Sequence, residues 1–333
     1  MKKKITFIFL FCLLWQELRA SYSTSPINRS MRVHNPSALS WGGGSKNLGL
    51  YYSSIAHTEN QTVNTIKQYD FENETSYSLL GFADLDMVVA DFFYRNLEDT
   101  GKQYIDARVS VDKKKEEELQ INGAINLGPL SLGLGYLSVQ NEYESTSPLS
   151  TATPIALVTK KSGYLVGLGG ELFGFNANAM VQFLQEEGQY TPTHNYTKME
   201  LGGGLKQGLP EIGVFHFEGA YLYTPESKSG SNSFQGYHVI PLTTEIFLEG
   251  EFEYEVINGD LAVHLNIQKR SQIEKVNYTA SSERKTETIL LGVGSSFFYK
   301  KILANYSYKK EDVTFGNMLR EESSHLLTLG VQF

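Results

Sequence analysis

Short segments in which apolar and polar residues alternate recur along this chain, and they limit the folds open to it. In residues 261–268, apolar side chains occupy every odd position and mostly polar ones the even positions. The same period of two recurs in 119–127, 130–136 and 175–183, and it is typical of strands with two different faces. No stretch after residue 20 is long and apolar enough for a membrane helix. Because backbone groups in lipid must pair internally, a membrane-spanning fold here must be a closed barrel.

The first twenty residues have the layout of a secretory signal peptide. Lys2, Lys3 and Lys4 precede an apolar run over residues 5–15, and Ala20 offers a small residue for cleavage. The alternative is a membrane anchor, for which the run is too short. We therefore predict a signal peptide at 1–20, an N-terminal periplasmic segment at 21–45 and a barrel at 46–333.

The last nine residues, 325–333, form a strand pattern that ends on an aromatic side chain. Leu327, Leu329, Val331 and Phe333 share one face. A strand of a soluble β-sandwich is the alternative, but together with the signal peptide the pattern favours a barrel in the outer membrane of a Gram-negative bacterium. Its partners would be outer-membrane lipid and, through the strand ending at Phe333, the barrel-assembly machinery.

The links between the alternating segments are short and long in turn, which is typical of outer-membrane barrels with periplasmic turns and outer loops. Long polar links are predicted at 56–75, 97–116, 142–161, 187–195, 225–240, 272–285 and 312–323. The predicted fold is an all-β, transmembrane, antiparallel barrel of about fourteen strands, with twelve or sixteen as alternatives. The predicted spans are 46–55, 76–83, 87–96, 117–127, 130–141, 162–172, 174–186, 196–207, 212–224, 241–257, 260–271, 286–298, 300–311 and 324–333.

The charge balance argues against nucleic acid as a partner. The chain has 29 Lys and Arg residues against 37 Asp and Glu residues, a net charge of −8, whereas nucleic-acid binding needs a basic face. No spacing of His, Cys or Asp suggests a metal site, and no motif ties a nucleophile to a base. We therefore predict no enzyme activity, no catalytic residues, no metal and no cofactor.

The segment before the first strand carries a family resemblance. Asn35, Pro36, Ser37 and Ala38 resemble the Asn-Pro-Ala motif that FadL-type outer-membrane transporters of long-chain fatty acids and other hydrophobic compounds carry in an N-terminal hatch. This chain has Ser37 where the family usually has Ala. The resemblance implies a fourteen-stranded barrel, a hatch at 21–45 that plugs the lumen, and passive uptake of hydrophobic small molecules. The motif and three lumen-facing apolar residues are ligand-path candidates: Phe93, Met180 and Leu184.

One predicted strand, 241–257, carries a column of carboxylates. Its apolar residues share one phase, which predicts that the following side chains face the lumen: Glu245, Glu249, Glu251, Glu253 and Glu255. His264 is predicted to face inward on the next strand. Such a column would favour cations in a pore. The alternative is that inward bases neutralise it, and the candidates for that role are Arg95, Lys206, Lys269 and His264.

Three functions fit this sequence. The first is a FadL-type channel for long-chain fatty acids or other hydrophobic compounds. The second is a general or cation-leaning porin, and the third is a barrel with a structural or secretion-partner role.

Overall fold

A computed structural model describes 48–63, 66–85, 87–105, 108–146, 155–172, 175–189, 191–209, 213–229, 238–257, 261–276, 282–299, 302–315 and 318–332. The predicted signal peptide, the predicted hatch with Asn35, Pro36, Ser37 and Ala38, and Phe333 lie outside the described residues. Within the described ranges there is no helix long and apolar enough to cross a membrane.

The described residues form sixteen strands. They are β1 Leu48–Val63, β2 Ile66–Asp84, β3 Val88–Ile105, β4 Arg108–Leu127, β5 Leu130–Thr146, β6 Ile155–Leu172, β7 Phe175–Gly188, β8 Thr191–Leu209, β9 Gly213–Thr224, β10 Ser227–Ser229, β11 His238–Ile240, β12 Leu242–Ile257, β13 Leu261–Val276, β14 Ser282–Tyr299, β15 Ile302–Phe315 and β16 Met318–Gln332. Fourteen of them close one barrel in the order β1-β16-β15-β14-β13-β12-β9-β8-β7-β6-β5-β4-β3-β2, and β10 pairs only with β11. Every barrel pair is antiparallel, and β1 pairs with β16. The prediction of an antiparallel barrel of fourteen strands is confirmed.

The alternation in the sequence separates a lipid-facing side from a lumen side. On β13 the side chains of Val263, Leu265 and Ile267 are exposed on the outside, whereas those of His264 and Asn266 are buried inside. The same division holds on the other barrel strands and gives an apolar outer band. An apolar outer band of this kind suits contact with lipid, because these residues would be costly to expose to water, whereas most of the side chains inside the lumen are polar.

The strands run much farther than the predicted spans. The predicted link 56–75 is mostly strand, because β1 continues to Val63 and β2 begins at Ile66. The predicted link 97–116 is likewise the paired ends of β3 and β4, with Lys102 opposite Val111. These predicted loop boundaries were wrong for one physical reason. Where a hairpin extends beyond the lipid, both of its faces are exposed to water. Its sequence is therefore polar on both faces even though its backbone remains paired.

The two ends of the barrel differ in how strands connect. At the short-turn end, where Leu48 and Gln332 also lie, β4 joins β5 through Gly128 and Pro129. Gly128 has φ 74°, a conformation that costs glycine nothing. At the long-hairpin end the chain between β9 and β12 forms the small β10–β11 sheet, which lies in the predicted loop 225–240 and was not predicted.

The outer band can be tested with a matched pair on β16. Leu327 and Leu319 both point outward, but Leu327 lies within the apolar band and Leu319 near the long-hairpin end. We expect Leu327→Arg to lower the free energy of unfolding by about 2–4 kcal/mol and Leu319→Arg by about 0–1 kcal/mol. Urea unfolding in lipid vesicles measures both, and equal losses would contradict the membrane placement.

Candidate functional site: the barrel lumen

The wall of β5–β8 carries a fully buried apolar cluster inside the barrel, termed here the upper cluster. It consists of Leu137, Leu165, Met180 and Leu184, with Val139 and Tyr196 packed against it. Met180 and Leu184 were predicted as ligand-path residues, and the structure brings them together. Leu137 and Leu165 were not predicted. Each interrupts the alternation of its strand by placing a leucine in the polar phase, and that interruption was the available signal.

Gly163 on β6 makes room for this cluster. It lies between Leu137 on β5 and Leu184 on β7. A Cβ atom here would be 2.1 Å from the carbonyl oxygen of Phe183 and 2.9 Å from Cδ2 of Leu184. The absence of a side chain at this position therefore lets Leu184 lie flat against the wall.

A second lumen cluster, the aromatic cluster, lies near the short-turn end on β1–β3 and β15. Its buried members are Tyr51, Leu80, Phe93 and Leu303, with Phe82 packed against them. The rings of Tyr51 and Phe82 stack with centroids 6.0 Å apart and planes 8° apart. Phe93, the third predicted path residue, is therefore part of a different cluster from Met180 and Leu184.

Four of the predicted carboxylates lie on the lumen face of β12, and contacts with side chains of β13 are seen for three of them. Glu245 Oε1 is 2.8 Å from Arg270 Nε, and Glu253 Oε2 is 3.3 Å from His264 Nδ1. Glu249 accepts hydrogen bonds from Asn266 (2.6 Å) and Gln268 (3.0 Å). Glu251 lies opposite Asn266 on the same face. Glu255 is paired with Ala262 in the strand register, and its side chain lies outside the described residues. The column is thus built into the lumen packing.

Two of the predicted basic partners need correction. Lys269 lies opposite Leu248 on the outer face and is exposed, so it does not neutralise the column. The adjacent residue, Arg270, does so instead, because side chains change face at every position of a strand. Arg95 does face inward, but it pairs with Glu116 (2.5 Å) and Glu118 (2.8 Å) on β4. The side chain of Lys206 lies outside the described residues.

One buried polar network contains the residue types of a hydrolase triad. His264 Nε2 is 2.6 Å from Ser296 Oγ, which also accepts a hydrogen bond of 2.6 Å from Asn305. Catalysis of acyl transfer would require two donors aimed at a reacting oxygen and an accessible nucleophile. Ser296 is only 4% exposed, and its strand is paired on both sides. These residues form a buried polar network that fills part of the barrel.

Among the described side chains there is no cluster of His, Cys, Asp and Glu able to hold a metal ion.

Comparison with solved structures places the fold beside known hydrophobic-compound channels. The chain superposes on the monoaromatic hydrocarbon channel CymD with a TM-score of 0.57 and 10% sequence identity, and the superposition covers 94% of each chain. The toluene transporter TodX of P. putida superposes with a TM-score of 0.52 and 12% sequence identity. A FadL homologue of Pseudomonas aeruginosa superposes with a TM-score of 0.53 and 8% sequence identity. Both superpositions cover 90% of this chain and 92% of the other chain. The resemblance inferred from sequence is confirmed at the level of fold.

Comparison by sequence finds no match. No family model matches the chain, and no curated protein matches it by sequence.

Proposed function

We propose that this protein is an outer-membrane channel for the passive uptake of hydrophobic small molecules. The observation that carries the proposal is the upper cluster, in which Leu137, Leu165, Met180 and Leu184 lie side by side on the lumen wall. The short-turn end would face the periplasm and the long-hairpin end the outside, as in other outer-membrane barrels. The predicted signal peptide and the predicted terminal aromatic support export to that membrane.

The upper cluster supports an apolar ligand for an energetic reason. The side chains of the cluster are already shielded from water, so a ligand that packs among them would gain by removing its own apolar surface from water. Burial of a group the size of a phenylalanine side chain contributes about 1.5–3 kcal/mol. Ligand pockets of this kind are mostly apolar with a few polar groups, and here Gln182 lies between Met180 and Leu184 on β7.

The ligand class of the solved structures fits this cluster. Two of them are a monoaromatic hydrocarbon channel and a toluene transporter. Long-chain fatty acids are the other class that the family resemblance implies. We propose a hydrophobic ligand from either class, taken up without an energy source. Residues 21–45 would plug the lumen from the periplasmic side, as the resemblance implies.

A cation-leaning pore is the second candidate, and the carboxylates of β12 are the observation that favours it. The contacts of these carboxylates argue against a cation-leaning pore, since Glu245, Glu249 and Glu253 each contact a side chain of β13. A planar-bilayer recording separates the two functions, because an open porin conducts steadily and a plugged channel does not. The third function, a structural or secretion partner, predicts neither conductance nor ligand binding.

The ligand site is tested by a matched pair of lumen leucines. Leu184 belongs to the upper cluster, whereas Leu290 on β14 is equally buried in the lumen and belongs to none of the clusters described above. We expect Leu184→Ala to weaken binding of radiolabelled toluene or oleate by about tenfold, and Leu290→Ala to change it by less than about twofold. Equilibrium binding to purified protein measures both. Equal affinities in the two variants would reject the upper cluster as the ligand site.

A further inference from the structure

The side chain of Gln182 is a polar group within the apolar upper cluster. Along β7 it lies between Met180 and Leu184 on the lumen face, and its register partner on β6 is Leu165. All three of these neighbours belong to the upper cluster. Gln182 is only 1% exposed, whereas Phe183, the next residue along the strand, is 51% exposed on the outer face. The amide of Gln182 is therefore buried among the side chains that we propose as the ligand site.

The amide nitrogen of Gln182 has no hydrogen-bond partner among the described residues. A buried polar group without a partner destabilises the folded state, and native structures contain few such groups. An apolar side chain of the same shape would avoid this cost. The chain thus carries a polar group here at the expense of stability, and exceptions of this kind are expected at functional sites.

The lysines and glutamates that face the lumen next to the cluster balance one another. On β8, Lys198 lies opposite Gln182, and Glu200 lies two residues farther along the same face. Nearer the long-hairpin end, Lys161 on β6 lies opposite Glu186 on β7. Two lysines and two glutamates leave no excess charge that would attract an ionised ligand. The surroundings of Gln182 therefore favour a neutral polar group.

We propose that Gln182 is the polar anchor of the upper cluster and that its preferred ligand carries a hydroxyl group on an apolar body. This inference rests on the proposed uptake of hydrophobic molecules and specifies the ligand within that class. The hydroxyl oxygen accepts a hydrogen bond from Nε2 of Gln182. Glu200, the diagonal neighbour of Gln182 on β8, presents a carboxylate on the same face, and a carboxylate has several acceptor positions for the hydroxyl proton.

The two other ligand types fit the anchor less well. A plain hydrocarbon leaves the amide of Gln182 without a partner, and a carboxylate ligand brings a negative charge next to Glu200. A site built to bind a hydroxyl discriminates against an analogue that lacks it, because its buried polar group is then left unpaired. The ligand class that we expect is therefore phenols and long-chain alcohols.

Three ligands that share a tolyl group test the proposal: toluene, p-cresol with a hydroxyl, and p-toluate with a carboxylate. Their equilibrium binding is measured at neutral pH on full-length protein in lipid nanodiscs, with the signal of empty nanodiscs subtracted. We expect the parent to bind p-toluate more weakly than p-cresol. Gln182→Met keeps an unbranched side chain of similar length. It should weaken p-cresol binding by about tenfold and change toluene binding by less than about twofold, because only the hydroxyl loses a donor.

Gln185→Met is the matched control. Gln185 lies on the same strand but is exposed on the outer face, so this substitution should leave the binding of all three ligands unchanged. Unfolding in urea gives a second readout that needs no ligand. Because Gln182→Met removes a buried amide group without a partner, its unfolding midpoint should equal or exceed that of the parent. A clear fall in the midpoint would show that the amide stabilises the wall, which overturns the anchor role.

The binding data overturn the proposal in any of three outcomes. Gln182→Met weakens toluene and p-cresol equally, p-cresol binding is unchanged in that variant, or the parent binds p-toluate more tightly than p-cresol. In all three the proposed uptake of hydrophobic molecules still stands. If the parent binds neither these ligands nor oleate, the proposed function fails as well.

Discussion

Gly163→Ala is expected to lower the free energy of unfolding by about 3 kcal/mol, the upper range for overpacking a well-packed site. The added Cβ would lie 2.1 Å from the backbone oxygen of Phe183. That oxygen belongs to β7, which is paired with β6 along its length and cannot retreat without loss of ladder hydrogen bonds. Leu184 would also have to move, so we expect hydrophobic-ligand binding to weaken in the same variant. Urea unfolding followed by circular dichroism measures the first effect.

Gly292→Ala is the matched control for this substitution. Gly292 also faces the lumen from the middle of a strand, opposite Asn266. Its added Cβ would meet its nearest neighbour, Cβ of Asn266, at 3.4 Å, an ordinary contact. We expect a change within about 0.5 kcal/mol, as for substitutions that create no clash. If both alanine variants unfold at the same urea concentration, close packing at Gly163 is not what stabilises the upper cluster.

Arg270→Met is expected to destabilise the barrel by about 3–5 kcal/mol, because it leaves the buried carboxylate of Glu245 without its closest cation. The Glu245 side chain is only 8% exposed, and its oxygen lies 2.8 Å from Arg270 Nε. The cost comes from the unpaired charge rather than from the lost contact. Arg270→Met combined with Glu245→Gln should therefore recover most of the loss, since a neutral amide is much easier to bury.

An exposed pair on the neighbouring strand serves as the control. Lys285 and Glu287 lie 2.7 Å apart, but their side chains are 59% and 44% exposed. Lys285→Met should cost no more than about 1 kcal/mol, as is usual for surface ion pairs. Unfolding in urea compares the three variants directly. An Arg270 variant as stable as the Lys285 variant would show that the lumen is well hydrated around Glu245.

The strand number and the two faces of the barrel could be predicted from sequence because lipid imposes a strict period of two. Lys269 was wrongly predicted to be an inward base, because it was chosen by its residue type. Strict alternation from His264 puts Arg270, and not Lys269, on the inner face. The extensions of the hairpins were not predicted, because lipid imposes no alternation of apolar and polar residues beyond the bilayer. Val63 and Ile66 are paired at the end of the β1–β2 hairpin, but the hydropathy of the residues around them does not alternate.

The lumen was only partly predictable for another reason. Met180 and Leu184 were found because they are apolar residues in a polar phase, and the same argument would have identified Leu137 and Leu165. The ion pair between Lys114 and Glu59, 2.8 Å long, had no such signal. It joins β4 to β1, which are not neighbours in the sheet, and neither periodicity nor spacing shows which side chains of distant strands meet.

The pairing of the first strand with the last has a consequence for how the protein is assembled. Ser53 and Thr328 share a buried hydrogen bond of 2.7 Å across 275 residues of sequence, and β1 has no other partner on that side than β16. Such a contact is the slowest kind to form, because nearly the whole chain must be ordered before it is made. Until synthesis has passed β16, the sheet has two unpaired edges that invite aggregation. Closure of the barrel is therefore a late step of folding, and the edges of β1 and β16 would need to be shielded until it is complete.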